Sequence, residues 1–287
     1  MTTLAENLAK LEDAIASACR NAGRPRAEVE LMAVSKTYPA STIAEAAALG
    51  LTLFGENRVQ EFAAKALELA GLRANSALGA PCPGSPQTGP RLWGGCLPTL
   101  ETRESENLAN SANLANSASP AVFRVHLIGH LQSNKALRAA ELFDAIDSLD
   151  SLRLAERLNE AAGKLGKRLP VLLELKLSPE ETKSGLDPTA PETAELLERL
   201  PDLAHLEVRG LMTIAPWGVA DDVTRACFRS LRTGRDMWAA AHPRLDLSVL
   251  SMGMSGDFPI AIEEGATRIR IGTALFGKRA PYTGPTE

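Results

Sequence analysis

Short apolar segments alternate with amphipathic stretches along most of this 287-residue chain, and this alternation constrains the fold more than any other feature. Eight segments are rich in Val, Ile and Leu and several are almost continuously apolar, as is typical of parallel strands covered on both faces. They are residues 30–36, 51–56, 124–129, 145–149, 170–177, 208–214, 246–251 and 266–272. Eight is the number of strands that, with intervening helices, closes an α/β barrel. An open doubly wound sheet gives a similar alternation.

Stretches with helical spacing of apolar residues lie between these strands. The first, residues 4–22, comes before the first strand and ends near Gly23 and Pro25, which are good stop signals. The others are residues 41–49, 57–70, 134–142, 151–165, 189–199, 221–241 and 258–264. The pattern therefore predicts an α/β fold with one additional helix at the N-terminus.

Residues 71–121 interrupt this alternation. They are rich in Gly, Pro, Ser and Asn, and residues 106–119 (ENLANSANLANSAS) contain a local repeat. A loop of this length is uncommon inside a compact domain and is usually either disordered or functional. We predict a flexible surface insertion in an otherwise single domain that spans residues 1–287.

Composition argues against several classes of function. The net charge of −4 does not favour binding to nucleic acid, which attracts basic surfaces. No apolar stretch approaches the roughly 18 residues of a membrane span, and the first residues lack the apolar segment of a secretory signal. The four cysteines form no C-x-x-C pair, so free thiols in a reducing compartment are the simpler interpretation; they are Cys19, Cys82, Cys96 and Cys227. We expect a cytoplasmic protein that binds neither nucleic acid nor membranes.

Lys36 lies at the end of the first predicted strand. In a parallel barrel the carboxyl ends of the strands face the mouth, where active sites are built. Partial desolvation at that position favours the neutral amine, which can attack a carbonyl to form a Schiff base. An ordinary exposed lysine at a strand end is the alternative, and the spacing alone does not decide between the two.

Two loops near the end of the chain have the composition of a phosphate site. In this barrel fold, phosphate is commonly bound by the loops that follow strands seven and eight. Small residues let backbone N–H groups approach an anion, and hydroxyl groups add donors. The loops at these positions are residues 251–257 (SMGMSGD) and 270–273 (RIGT). A pair of ordinary Gly/Ser turns is the competing interpretation.

Arg270 lies on the eighth predicted strand, with its side chain on the same face as that of Arg268. Near the mouth it can donate to a heterocycle nitrogen or pair with an acid. His126 and His130 flank the end of the third strand, but no third ligand completes a metal set, so we predict no metal site. Residues 272–278 (GTALFGK) match the start of a phosphate-binding P-loop, yet Arg279 stands where the Mg²⁺-binding hydroxyl belongs.

Seven motifs taken together are more specific than any one of them. They are residues 31–37 (LMAVSKT), 54–57 (FGEN), 126–135 (HLIGHLQSNK), 183–185 (KSG), 209–212 (RGLM), 251–255 (SMGMS) and 270–277 (RIGTALFG). In this order they resemble the pyridoxal phosphate homeostasis proteins, which are similar to the N-terminal barrel of alanine racemase. The resemblance covers nearly the whole chain apart from the insertion, and it is weaker over residues 175–182, which include Pro179.

This resemblance implies a (β/α)8 barrel of the TIM type that binds pyridoxal 5′-phosphate (PLP). It implies that Lys36 carries the cofactor as a Schiff base and that Arg270 faces the pyridine nitrogen. Asn57 matches a position that lines the cofactor pocket, and Met212 is expected to pack against the ring. The residues implied to bind phosphate are Ser251, Gly253, Met254, Ser255, Gly272 and Thr273.

The resemblance also implies a carrier that takes part in vitamin B6 homeostasis and hands PLP to apoenzymes, with no catalytic residue of its own. An amino-acid racemase of the alanine racemase type is the alternative, but it needs a second proton donor opposite the lysine. In alanine racemases this is a tyrosine from the partner subunit's C-terminal domain. Here the tyrosines are Tyr38 and Tyr282, and the sequence ends soon after the eighth strand. We therefore expect a carrier that is a monomer or weak dimer. A third possibility is an aldolase-like barrel in which Lys36 binds a sugar carbonyl, but the motifs do not suggest it.

Overall fold

The computed structural model describes residues 2–69, 123–177 and 184–277. Eight parallel strands follow one another around a closed barrel in the order of the chain. They are β1 (Glu30–Val34), β2 (Leu53–Glu56), β3 (Arg124–Leu127), β4 (Ala145–Leu149), β5 (Leu169–Leu175), β6 (Leu206–Thr213), β7 (Val249–Ser251) and β8 (Arg268–Ile271). Because β1 pairs with β8, with Met32 opposite Arg270, the predicted (β/α)8 barrel is confirmed and the open sheet is excluded.

The helices surround the barrel. They are α1 (Leu4–Asn21), α2 (Ala40–Ala48), α3 (Val59–Leu69), α4 (Ala136–Leu142), α5 (Leu152–Lys164), α6 (Pro191–Arg199), α7 (Asp221–Ala241), α8 (Phe258–Glu263) and α9 (Thr273–Phe276). The predicted extra N-terminal helix is α1, which begins with a capping box between Thr3 and Glu6. It packs against α8 and α9, and Asn7 donates a hydrogen bond to the carbonyl of Leu275 (3.0 Å).

Side chains on each strand alternate between the barrel interior and the layer that packs against the helices. On β8, Ile269 and Ile271 belong to the apolar layer, whereas the side chains of Arg268 and Arg270 bind residues on strands across the barrel. The predicted common orientation of the two arginines is therefore confirmed. Arg268 pairs with Glu30 (2.8 Å) and Asp147 (3.1 Å), so the amino end of the barrel is closed by an ionic cluster.

Several predictions concern residues that the structure does not describe. The insertion at 71–121 lies outside the described residues, as do Cys82, Cys96 and Tyr282. In the described part of the chain, no helix is both long and apolar enough to cross a membrane. Within the same part, no three His, Cys, Asp or Glu side chains form a group suited to a metal.

Candidate functional site

A cavity of about 340 Å³ opens at the carboxyl end of the barrel. This volume falls at the lower end of the roughly 300–1,000 Å³ that is usual for small-molecule sites. Seven residues singled out from the sequence line it: Lys36, Asn57, Met254, Ser255, Arg270, Gly272 and Thr273. The remaining lining residues are Val34, Ile128, Ile214, Trp217, Gly256 and Asp257.

Lys36 occupies a tight turn that follows β1 directly. The N–H of Tyr38 donates to the carbonyl of Ser35 (3.1 Å), so Lys36 and Thr37 are the central residues of a β-turn. Thr37 has a φ of 70°, and no other non-glycine residue in the described ranges has a positive φ. A positive φ at the second central position is the geometry of a type II turn, which normally requires Gly or Asn. A β-branched residue there costs on the order of 1–3 kcal/mol, so the turn that presents Lys36 is strained.

The loops after β7 and β8 together form one wall of the cavity. They are joined by a hydrogen bond from the N–H of Ala274 to Oγ of Ser255 (3.2 Å). Gly253 has a φ of 93°, and a Cβ at this position would lie 2.6 Å from Cβ of Ala261, so only glycine lets the loop turn onto α8. This close packing explains the glycine in the SMGMS motif.

Asp257 lines the same wall; it belongs to the predicted phosphate loop but was not among the residues predicted to bind the cofactor. Its Oδ1 accepts a hydrogen bond from the backbone N–H of Met254 (2.5 Å). Burial raises the pKa of its carboxyl group, and the Met254 bond and the charge of Arg270 counteract this rise. The predicted phosphate loop thus contains an acidic side chain that is bound to the loop's own backbone.

Arg270 is buried, and its guanidinium is held on two sides. Nη1 donates to the carbonyl (2.7 Å) and to Oγ (2.9 Å) of Ser251, and Nη2 donates to the carbonyl of Thr213 (2.8 Å). Burial lowers the pKa of Arg270, while Asp147, Glu174 and Asp257 counteract this effect. These bonds use three of the five N–H donors of an arginine, so the fixed guanidinium retains donor capacity towards the cavity that it lines.

Asn57, which follows β2, also lines the cavity, and Gly129 makes room for it. A Cβ on Gly129 would lie 2.3 Å from the carbonyl oxygen of Asn57. The carbonyl of Gly129 in turn accepts a hydrogen bond from Oγ of Ser148 (2.8 Å). The glycine of the HLIGH motif therefore allows the loop after β3 to approach Asn57 closely.

Three predicted residues lie behind the cavity wall and do not line it. Ser251 binds Arg270, as described above. Met212 is fully buried in a small apolar cluster with Leu172 and Val249, against which Ile214 packs. Gly253 determines the path of its loop. From these positions the three residues support the residues that line the cavity and do not contact a ligand in it directly.

The sequence did not single out Glu174, which lies on β5 and is buried. Burial, together with the negative charge of Asp150, raises the pKa of its carboxyl to about 7; the charge of Arg270 and a hydrogen bond with Ser184 oppose this rise. A lone acid in the apolar strand LPVLLEL was the available signal. Trp217, a cavity-lining residue that is 90% exposed, gave no sequence signal because it lies in a loop between β6 and α7.

His126 and His130, which flank the end of β3, are each bound to a carboxylate. Nδ1 of His126 lies 3.0 Å from Asp147, and Nδ1 of His130 lies 2.9 Å from Asp150. Neither histidine lines the cavity. Their contacts are those of structural side chains.

The chain is similar to several known proteins over nearly its whole length. The alanine racemase N-terminal domain family matches residues 7–280. The pyridoxal phosphate homeostasis protein of Pseudomonas aeruginosa is 38% identical over the full length of both chains. The structure of PipY from Synechococcus elongatus, solved with PLP bound, has a TM-score of 0.70 and 38% identity, and it covers 96% of this chain and 100% of PipY.

Alanine racemase itself is a more distant relative. The Clostridium difficile enzyme is 14% identical, has a TM-score of 0.57 and matches 94% of this chain but 57% of its own. This likeness shows a common fold. The chain belongs to the family of pyridoxal phosphate homeostasis proteins, whose barrel is that of the alanine racemase N-terminal domain.

Proposed function

We propose that this protein binds pyridoxal 5′-phosphate at the mouth of its barrel and acts in the homeostasis of this cofactor. The observation that carries the proposal is that an amine, two hydroxyl-bearing loops and a fixed guanidinium converge on one cavity of about 340 Å³. These groups match the chemical parts of PLP. The relatives named for PLP homeostasis and the PLP-bound PipY support it.

Each lining residue has a role that follows from its chemistry. PLP supplies an aldehyde, which condenses with a primary amine and releases one water. Lys36 supplies that amine. Ser255, Gly272 and Thr273 hold the phosphate through hydroxyl and backbone donors. Arg270 donates to the pyridine nitrogen, and because its guanidinium keeps its own protons it leaves that nitrogen unprotonated.

Of the remaining predicted residues, some line the cavity and others support the residues that line it. Asn57 and Met254 form part of the lining. Ser251 orients Arg270, Gly253 turns the phosphate loop, and Met212 supports the wall from behind.

A carrier is favoured over a racemase because of the position of Tyr38. Racemisation requires a second proton donor on the face of the cofactor opposite the lysine. The hydroxyl of Tyr38 donates to the carbonyl of Gly277 (2.9 Å), and its ring packs against Phe276 at 5.0 Å. Tyr38 is therefore held against α9 and does not line the cavity. We also propose that the protein is cytoplasmic, forms one domain, exists as a monomer or weak dimer, and delivers PLP to apoenzymes.

The test is a titration of the purified apoprotein with PLP, followed by absorbance. We expect a visible band from the covalent attachment of the cofactor. Lys36→Ala should abolish the band and weaken binding, whereas Lys10→Ala, which removes an exposed lysine on α1, should leave both unchanged. A band that persists unchanged in Lys36→Ala would refute the assignment of Lys36.

A second measurement separates the carrier from the enzyme. The PLP-loaded protein is incubated with L-alanine, and optical rotation is followed over time. We expect no turnover beyond that of free PLP at the same concentration. Rapid loss of rotation would establish a racemase, and the carrier proposal would then fail.

A further inference from the structure

A buried lysine lies beneath the turn that presents Lys36. Nζ of Lys65 on α3 is 2.9 Å from Oε1 of Glu56 and 2.8 Å from Oε1 of Glu61. Burial raises the pKa of the Glu56 carboxyl, and the charge of Lys65 and hydrogen bonds from Lys65 and Ser35 counteract the rise. Buried charges are costly unless they are paired, so each member of this group depends on the others. We call Lys65, Glu56 and Glu61 the Lys65 cluster.

The Lys65 cluster binds the chain on both sides of Lys36. On the N-terminal side, Nζ of Lys65 donates to the carbonyl of Ser35 (3.1 Å), and Oγ of Ser35 donates to Glu56 (2.7 Å). On the C-terminal side, the N–H of Thr37 donates to Oε1 of Glu61 (2.5 Å). The carbonyl of Ser35 is also the acceptor that closes the turn. The two residues next to Lys36 are therefore both fixed by the same three side chains.

We propose that the Lys65 cluster positions Lys36 by holding this turn in its strained conformation. A backbone in a rarely populated φ region persists only where the surrounding structure fixes it, and Glu61 binds Thr37, the residue with φ 70°. None of the three cluster residues lines the cavity. They act through Lys36 and not on the ligand. The inference rests on the proposed function, since it concerns how Lys36 reaches the aldehyde of PLP.

The alternative is that the cluster only anchors α3 to the barrel. The two roles predict different effects on two ligands. PLP has both phosphate and aldehyde, whereas pyridoxine 5′-phosphate has the same ring and phosphate but an alcohol in place of the aldehyde. A misplaced Lys36 weakens the binding of PLP alone, because only PLP bonds to the amine. A loosened barrel weakens the binding of both.

The experiment measures dissociation constants of both ligands for Glu61→Ala in the full-length protein. Glu61 is 25% exposed, so its truncation is milder than that of Glu56 or Lys65. We expect PLP to bind roughly tenfold more weakly, the order of one charge-assisted hydrogen bond, with the binding of pyridoxine 5′-phosphate unchanged. Glu61→Gln keeps an oxygen acceptor for Thr37 and should fall between wild type and Glu61→Ala. Glu68→Ala, an exposed position on the same helix, is the matched control and should have no effect.

Four outcomes are decisive. Loss of affinity for PLP alone, with partial rescue in Glu61→Gln, supports positioning. Equal losses for both ligands, or no change for either, overturn it. Failure of the wild-type protein to give a visible band with PLP would instead overturn the proposed function, which separates the two failures.

Discussion

Replacing Glu174 by Gln should make the protein more stable at pH 8. The Glu174 side chain is buried on β5, and its pKa is raised to about 7 from an ordinary value of 4.5. At pH values between 4.5 and about 7, Glu174 of the folded protein keeps the proton that the same side chain in the unfolded protein has already released. The free energy of unfolding therefore decreases as the pH rises from about 4.5 to 7, and it stays reduced at higher pH.

The size of this effect follows from the same two values. The difference between a pKa of about 7 and one of 4.5 corresponds to about 3 kcal/mol at pH 8, as an upper bound. Glutamine has nearly the shape of the protonated acid and stays uncharged at every pH. Glu174→Gln should thus gain up to this amount at pH 8 and almost nothing at pH 4, where both side chains are neutral.

Urea denaturation of both proteins at a series of pH values between 4 and 8 measures this difference. Glu68→Gln, which removes an exposed carboxylate on α3, is the control and should show no such pH-dependent gain. A Glu174→Gln variant that is as stable as wild type at pH 8, or that is destabilised by the same amount at every pH, would refute the conclusion that burial raises the pKa of this carboxyl.

Two further predictions concern the backbone. Gly210→Ala should destabilise the barrel by more than about 4 kcal/mol, because a Cβ on Gly210 (φ 152°) would lie 1.9 Å from the carbonyl oxygen of Val249. An unchanged denaturation midpoint would show that β6 and β7 can move apart at little cost in free energy. Thr37→Gly should stabilise the fold by on the order of 1 kcal/mol, since glycine adopts a φ of 70° without penalty. Thermal melting measures the second effect, and a lower melting temperature would contradict the presence of strain in this turn.

The sequence predicted the elements well because their periodicity is local. All eight strands and the flanking helices are present, with ends displaced by at most three residues. The closure of the barrel was not decided by this pattern, since it depends on the pairing of Met32 with Arg270, residues far apart in the chain. Only the ordered motifs favoured the barrel over the open sheet.

The functional site was predicted only in part, because some of its features depend on local sequence and others on contacts between distant residues. Lys36 and Arg270 could be proposed from strand ends and side-chain alternation, and both line the cavity. The strain at Thr37 could not, because it depends on Glu61, which α3 brings to the turn from a distant position in the chain. The raised pKa of Glu174 was likewise only partly predictable: the apolar strand around this lone acid indicates burial, but the sequence does not show that Asp150 lies close to it.

Reduction of the PLP-loaded protein with borohydride, followed by digestion and peptide mass mapping, tests directly whether Lys36 holds the cofactor. Reduction converts the C=N bond between the cofactor and its lysine into a stable amine. We predict one cofactor per chain, attached to the peptide that contains Lys36. Cofactor attached to another lysine, or a Lys36 peptide that remains unmodified at saturating PLP, would contradict the role of Lys36 as the residue that holds the cofactor.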